Sequence, residues 1–138
     1  MTVPKLWRNI PHFYNLKGSK CAKCNKLHFP KREVCMKCNS TEYVDYKFKG
    51  KGKIVTFTII RTPVSDPEHE ITEIAARNLP YAIAIIELEE GPMITSEIVD
   101  CDLNEVAIGK NVQVVFRKLV EKGRKGVIQY GYKFRITQ

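Results

Sequence analysis

Residues 21–40 read CAKCNKLHFPKREVCMKCNS and contain two Cys-x2-Cys pairs separated by ten residues. The first pair is Cys21 and Cys24, and the second is Cys35 and Cys38. A Cys-x2-Cys turn brings two sulfurs to one edge of a tetrahedron, and two such turns complete a four-thiolate site. An asparagine follows each pair, and asparagine tolerates the left-handed backbone that such a turn needs. The spacing therefore predicts a structural Zn²⁺ site on two short hairpins.

The same four thiolates also suit other chemistry. An iron centre of rubredoxin type uses an identical ligand set, and a redox disulfide pair is a third alternative. Paired cysteines in a reducing compartment favour metal over disulfide, and four protein ligands leave no open position for a substrate. We therefore interpret the site as structural, and we expect His28 to have a packing or surface role rather than to bind the ion.

The fifth cysteine, Cys101, stands alone between Asp100 and Asp102. Acidic neighbours raise the pKa of a thiol, whereas a nucleophilic cysteine needs a lowered pKa and a nearby base. We expect Cys101 to be a small buried hydrophobic side chain. The chain also lacks a nucleophile elbow, a P-loop and a dinucleotide-binding glycine pattern. The sequence therefore predicts no catalytic residues.

The net charge of +8 on the 138 residues is spread unevenly. Residues 1–53 contain 13 Lys and Arg against 3 Asp and Glu, whereas residues 54–138 contain 10 against 12. Cationic surfaces attract nucleic acids, anionic membranes or phosphorylated small molecules. No apolar run approaches about 18 residues, and the N-terminus lacks the features of a secretory signal. We expect a cytoplasmic protein that does not span a membrane.

The sequence around the cysteines changes from helical to strand periodicity. Residues 5–17 place Leu6, Ile10 and Phe13 at helical spacing, and Pro11 predicts two short helical pieces. This segment is either a lid on the domain or an aromatic arm that docks a partner. After the cysteines, alternating and β-branched stretches predict five or six strands. These stretches are residues 43–50, 53–61, 81–88, 93–99, 111–119 and 127–135.

The strand pattern predicts a mainly β protein with one short helical turn at residues 102–106. A small curved sheet of this size closes readily into the five-stranded OB-fold barrel, although a meander or a half-open sandwich fits nearly as well. Residues 62–80 form a long acidic connection. Long loops in compact domains are usually functional or mobile, so this segment is either a solvated excursion or one that a ligand or partner orders.

The order of several motifs resembles a known family. The motifs are the aromatic N-terminal helix, the two cysteine pairs flanking an aromatic-Pro-x-Arg stretch, and the segments FKGKGKIVTFTIIRTP (48–63), IVDCDL (98–103), NVQVVF (111–116) and YKFRIT (132–137). Over residues 5–137 the chain resembles archaeal and bacterial zinc-ribbon/OB-fold proteins long catalogued as a domain of unknown function. One departure is Lys31, which stands where the family usually has a second proline.

This resemblance implies a rubredoxin-like zinc ribbon followed by an OB-fold. We accordingly divide the chain into an N-terminal helical segment (1–17), a zinc ribbon (18–42) and an OB-fold barrel (43–138). The resemblance also implies a non-catalytic companion that binds acyl-CoA and assists thiolase-superfamily enzymes, including acetoacetyl-CoA thiolase and hydroxymethylglutaryl-CoA synthase.

Coenzyme A presents phosphates and an adenine, which need cations and an apolar face. Arginine binds phosphate through a planar fork, and lysine acts as a point charge. The candidate ligand-binding residues are Lys23, Phe29, Lys31, Arg32 and Arg61. Alternatively, these cations are solvated and offset the charge of the zinc thiolates. One competing function is single-stranded nucleic-acid binding, because OB-folds stack bases on aromatic side chains along a basic groove. The third alternative is an enzyme of a kind that the motifs do not reveal.

Overall fold

The computed structural model describes residues 3–62, 79–121 and 126–137. Helix α1 spans Val3–Asn15, and a 3-10 turn spans Leu103–Glu105. The strands are β1 (Lys17–Cys21), β2 (Leu27–His28), β3 (Tyr43–Lys47), β4 (Lys51–Ile60), β5 (Tyr81–Leu88), β6 (Met93–Val99), β7 (Asn111–Glu121) and β8 (Ile128–Ile136). The strand positions expected from period-two alternation are confirmed to within a few residues.

Five of the strands close into a barrel in the order β4-β5-β6-β8-β7. Neighbouring strands are antiparallel except β6 and β8, which pair in parallel. Every second side chain of β5 is buried, as period two requires, and the barrel core is completed by Ile54, Ile98, Val112 and Phe134. The closed barrel confirms the OB-fold prediction and excludes the open meander and the half-open sandwich, because closure leaves no unpaired edge.

The remaining three strands form a separate sheet in the order β2-β1-β3. Strand β3 lies in this sheet, with Tyr43 opposite Cys21 and Lys47 opposite Lys17. The sequence analysis placed these residues in the barrel segment 43–138, because alternation shows that a strand exists but not which strand it pairs with. The division of the chain into three segments otherwise stays a prediction.

Helix α1 is continuous through Pro11, whereas the sequence analysis expected two pieces. A proline inside a helix removes one backbone hydrogen bond and crowds the preceding turn. The helix packs on β8 and β1, where Leu6 is buried and Ile10 and Phe13 are half-buried. Burial of this apolar face offsets the local cost of the proline, because tertiary packing supplies most of the stability of a helix in a protein.

One expectation lies largely outside the described residues. The long acidic connection at 62–80 is covered by the structure only at its ends, since residues 63–78 are not described. Residues 122–125, between β7 and β8, are not described either. Of the helices in the described part of the chain, none combines the length and the apolar character needed to cross a membrane.

Candidate functional site

The first cysteine turn is closed by two backbone hydrogen bonds. The N–H of Cys21 donates to the carbonyl of Lys26 at 2.9 Å, and the N–H of Asn25 donates to the carbonyl of Cys21 at 3.0 Å. Asn25 has a φ of +57°. This is the left-handed conformation in which asparagine is several-fold enriched.

The second cysteine turn has the same two backbone hydrogen bonds as the first turn. The N–H of Cys35 donates to the carbonyl of Ser40 at 2.9 Å, and the N–H of Asn39 donates to the carbonyl of Cys35 at 2.9 Å. Asn39 has a φ of +53°. The prediction that each asparagine occupies the left-handed position is confirmed, and the two turns place their sulfurs in equivalent orientations.

The four sulfurs of the two turns converge on one point. Their Sγ atoms all lie within 4.8 Å of one another, and the distances from Cys21 to Cys38 and from Cys24 to Cys35 are both 3.5 Å. A tetrahedral zinc with Zn–S bonds of about 2.3 Å requires S–S edges of about 3.8 Å. The arrangement fits one four-coordinate ion, and all four ligand positions come from this chain.

Local dipoles favour the thiolate form of part of this site. The backbone N–H of Lys37 has the largest influence on Cys35; together with the N–H of Cys38 it outweighs the effect of burial and lowers the pKa of Cys35 to about 5. The pKa of Cys38 responds differently. The N–H of Ser40 lowers it, but burial and the three neighbouring sulfurs raise it to about 12. Four close thiolates therefore need a cation to ionise together, as the ligands of zinc must.

His28 contacts the site although it does not complete it. Its ring is 6% exposed, and its Nε2 lies 3.4 Å from Sγ of Cys35. The ring also meets Tyr43 edge to face at 6.0 Å. The sequence analysis expected a packing or surface role for His28 rather than binding of the ion. The inward position of the ring depends on the pairing of β2 with β1, where His28 lies opposite Ser19, and no pattern in the sequence indicates that pairing.

A cavity of about 710 Å³ lies between the helix, the ribbon sheet and the barrel. Its lining is mixed, with basic groups beside aromatic and aliphatic side chains. The lining residues are Asn9, His12, Phe13, Lys17, Phe29, Pro30, Lys31, Glu33, Met93, Ile94, Thr95 and Tyr132. Two of the predicted ligand-binding residues, Phe29 and Lys31, are in this set, and His12, Lys17 and Tyr132 were not singled out from the sequence.

The cavity mouth carries both basic and acidic side chains, with Glu33 in the lining beside Lys17 and Lys31. Lys31 forms an ion pair with Asp45, with Nζ 2.8 Å from Oδ1. The hydrogen bond from Lys31 is the main reason why the pKa of Asp45 is lowered, and His12 and Lys17 contribute to the same lowering through their charges. One carboxylate therefore faces three basic groups. The Nδ1–H of His12 donates to the carbonyl of Lys17 at 3.0 Å, which fixes the imidazole of His12 against the main chain of Lys17.

Phe29 joins the ribbon to the barrel at the back of the cavity. Its ring meets Phe48 and Tyr132 edge to face, in both cases with centroids 5.8 Å apart. Phe48 is fully buried and belongs to the barrel core. The cavity wall at this point is rigid, because the ribbon and the barrel share one aromatic cluster.

The other predicted ligand-binding residues lie elsewhere. Lys23, Arg32 and Arg61 are exposed and do not line the cavity. The backbone N–H of Arg32 donates to Oγ of Ser19, so the main chain of Arg32 is fixed while its side chain is directed to solvent. The assignment of all five ligand-binding residues stays a prediction.

Cys101 is half-buried, and its surroundings disfavour the thiolate form that a nucleophile needs. Burial is the main cause that raises the pKa of its thiol, followed by the charges of Glu105, Asp102 and Asp100. The expected rise in pKa is confirmed.

The fold and the cysteine site define a mainly β protein in which a structural metal ribbon is joined to an OB-fold barrel. Models of the ChsH2 rubredoxin-like zinc ribbon domain and the ChsH2 C-terminal OB-fold domain match residues 14–44 and 46–117. A DUF35 domain-containing scaffold protein of Methanothermobacter thermautotrophicus is 46% identical over 95% of this chain and 93% of that protein. The chain therefore belongs to the DUF35 family of scaffold proteins, and its four cysteines form the structural zinc site of the ribbon.

Two further similarities concern proteins named for an enzyme. The benzoylsuccinyl-CoA thiolase subunit BbsA of Thauera aromatica is 28% identical over 87% of this chain and 75% of that protein. The solved structure of the Ltp2-ChsH2(DUF35) aldolase superposes with a TM-score of 0.69 at 21% identity, covering 96% of this chain and 92% of that one. At this identity the structural similarity shows the fold alone.

Proposed function

We propose that this protein is a non-catalytic scaffold of a thiolase-superfamily enzyme complex and that it binds acyl-CoA in the cavity between helix, ribbon and barrel. The observation that carries the proposal is the cavity itself, which combines basic groups with aromatic walls in a protein of the scaffold family. The name of the relative BbsA, a thiolase subunit, supports the choice of partner.

The chemistry of the cavity suits a phosphorylated, partly apolar ligand. Lys17 supplies a point charge for phosphate, Lys31 adds a second charge that it shares with Asp45, and His12 adds a ring nitrogen directed away from its bond to the carbonyl of Lys17. Phe29 and Tyr132 supply flat apolar surface for adenine or for the pantetheine arm. A volume of about 710 Å³ lies within the range of small-molecule and cofactor sites.

The properties of the zinc site and of Cys101, the two places where catalysis would be sought, agree with a non-catalytic role. The zinc is closed by four protein sulfurs, so it offers no position at which a substrate or water is activated. The thiol of Cys101 has a raised pKa, which disfavours its nucleophilic form. Zinc-bound thiolates also suit a reducing compartment, so we place the complex in the cytoplasm.

Calorimetric titration of the purified chain with acetyl-CoA tests the ligand. We expect binding to weaken about ten-fold when Lys17 is replaced by Ala, since a charge-assisted contact to phosphate is worth about 1.5 kcal/mol. Lys110→Ala is the matched control, because Lys110 is an exposed lysine outside the cavity. Equal affinity of wild type and Lys17→Ala would place the ligand elsewhere, and an absence of heat with wild type would reject acyl-CoA binding by this chain.

Co-expression with the thiolase encoded in the same genome tests the partner. The scaffold role predicts that the two proteins elute as a stable complex in size-exclusion chromatography. It also predicts that adding the zinc-loaded protein to the isolated thiolase, at saturating substrate, leaves the rate constant per thiolase active site unchanged. Hydrolysis or condensation of an acyl thioester by the isolated chain would show that it is an enzyme.

A further inference from the structure

Four exposed aromatic side chains lie on two parts of the fold that are distant in sequence, and three of them are in ring-to-ring contact. Trp7 and Tyr14 are on helix α1, and Phe116 and Tyr130 are on the hairpin of β7 and β8. Their exposed fractions are 66%, 43%, 47% and 37%. We call these four residues the aromatic band. Large aromatic side chains at the surface of a monomer mark interaction sites when they are contiguous.

The helix places its two aromatic residues on the same face. Seven residues separate Trp7 from Tyr14, so they lie two turns apart and differ by only about 20° around the helix axis. Leu6, on the face that packs on the domain, is buried. Trp7 follows Leu6 by about 100° around the axis, so it borders the packed face, and both Trp7 and Tyr14 are exposed.

Contacts between rings join the helix to the hairpin. Tyr14 meets Phe116 edge to face with ring centroids 4.9 Å apart. Phe116 stacks on Tyr130 at 5.6 Å with an angle of 12° between the planes. Because Tyr14, Phe116 and Tyr130 are held by contacts with one another, this part of the surface is ordered before a partner binds, and little side-chain entropy is lost there on association.

The charges beside the band differ between its two ends. At the hairpin, Arg117 pairs with Asp100 and Lys118 pairs with Glu121, each at 2.5 Å, so the cations there are neutralised. On the helix, Lys5 and Arg8 are exposed, and residues 3–15 contain no acidic side chain. Among the described residues, the surface is thus apolar at its centre, carries paired charges at the hairpin end and is basic at the helix end.

We propose that the aromatic band is the surface on which the partner enzyme of the complex docks, through an apolar patch of that enzyme bordered by carboxylates on the side of the helix. This inference rests on the proposed function. Aromatic anchors at the centre with a polar rim are the usual anatomy of a protein interface. The basic helix end requires carboxylates opposite it, because like charges across an interface are costly.

Two other occupants fit the same surface less well. In a symmetric dimer, the basic helix of one copy would meet the same surface of the other copy. The carboxylates described beside the band are already paired with Arg117 and Lys118, so none of them is free to pair with that helix. A nucleic acid would stack bases on Phe116 and Tyr130, but Arg117 and Lys118, which lie beside these rings in the described part of the hairpin, are already paired with Asp100 and Glu121, so phosphates would have to displace a carboxylate to reach them.

The test measures affinity for the thiolase encoded in the same genome by biolayer interferometry. Trp7→Ala and Phe116→Ser should each weaken binding at least ten-fold. Arg8→Glu should weaken binding at low salt and less so at high salt, because screening reduces an exposed charge contact. Ile108→Ser is the matched control, since Ile108 is 68% exposed and lies outside the band. Zinc content and acetyl-CoA affinity of each variant are measured in parallel and should match those of wild type.

The outcomes separate this inference from the proposed function. If wild type binds thiolase and the band variants bind equally well, the docking surface lies elsewhere and the scaffold role stands. If wild type does not bind thiolase, both proposals fail. Two further outcomes would assign the band to another occupant, provided that the chain does not bind thiolase through it. If wild type dimerises and Trp7→Ala abolishes the dimer, the occupant is a second copy of this chain. If wild type binds oligonucleotides and Phe116→Ser abolishes that binding, the occupant is a nucleic acid.

Discussion

The ring of His28 and the sulfur of Cys35 are in hydrogen-bond contact, with Nε2 3.4 Å from Sγ. Because Sγ is a thiolate when it binds zinc, Nε2 carries the proton and donates to it. A donor to a metal-bound thiolate spreads the charge of a site that holds four anionic ligands on a dication. His28 therefore positions and stabilises one zinc ligand without binding the ion.

We predict that His28→Phe weakens zinc binding about 10- to 100-fold, the usual cost of losing a hydrogen bond to a metal ligand. Phenylalanine keeps the bulk of the ring and removes the donor, so packing is largely preserved. Competition with a chromophoric chelator measures the affinity. His12→Phe serves as control because His12 lies outside the zinc site. Zinc affinity equal to that of wild type in His28→Phe would show that the contact is only packing.

Replacing a zinc ligand should unfold the ribbon and leave the barrel intact. We predict that Cys24→Ser and Cys38→Ser each lose zinc and abolish hydrogen-exchange protection in the ribbon sheet at β1, β2 and β3, since metal binding supplies the folding energy of such a segment. The barrel has its own core of buried aliphatic and aromatic side chains. Amides of β4 to β8 should therefore stay protected.

The matched control for these ligand variants is Cys101→Ser, because Cys101 is the remaining cysteine and is not part of the sulfur cluster. It should retain one zinc per chain by elemental analysis. A double variant of Cys24 and Cys38 that retains a full equivalent of zinc would refute the assignment of the site.

The aromatic link between ribbon and barrel should contribute measurably to stability. Phe29→Ala removes the edge contacts with Phe48 and Tyr132, and we expect the free energy of unfolding to fall by about 2–3 kcal/mol, less than for a fully buried phenylalanine. Urea unfolding followed by fluorescence measures the change. A loss smaller than that of the exposed control Val44→Ala would show that the ribbon does not depend on this contact.

Gly50 should resist substitution more strongly than glycines in open turns. Its φ is +76°, and a Cβ added there would lie 2.1 Å from Cγ1 of Val114. Gly50→Ala therefore combines backbone strain with overlap, and we expect a loss of about 3 kcal/mol or more. Gly91→Ala shares a positive φ but meets no atom within 4 Å, so it should cost about 1 kcal/mol. Thermal and urea unfolding of both variants checks the order.

Much of the molecule follows from local patterns in the chain. The spacing of the four cysteines predicts the zinc site, and an asparagine after each pair predicts the left-handed residue that closes each turn. Alternation predicts the barrel strands, because side chains on successive residues point to opposite faces of a sheet. The acidic neighbours of Cys101 predict the charge contribution to the rise in its pKa, to which burial contributes most. In each case the residues that interact are close in sequence.

Tertiary structure decided what depends on residues that are distant in sequence. Strand β3 pairs with β1 rather than with the barrel, and the helix continues through Pro11 because its apolar face is buried. The cavity joins Lys17, Phe29 and Tyr132 from three elements, and the aromatic band joins Tyr14 to Phe116. Sequence spacing fixes local geometry through bonds and turns, whereas contacts across elements depend on how the whole chain packs, which no short pattern specifies.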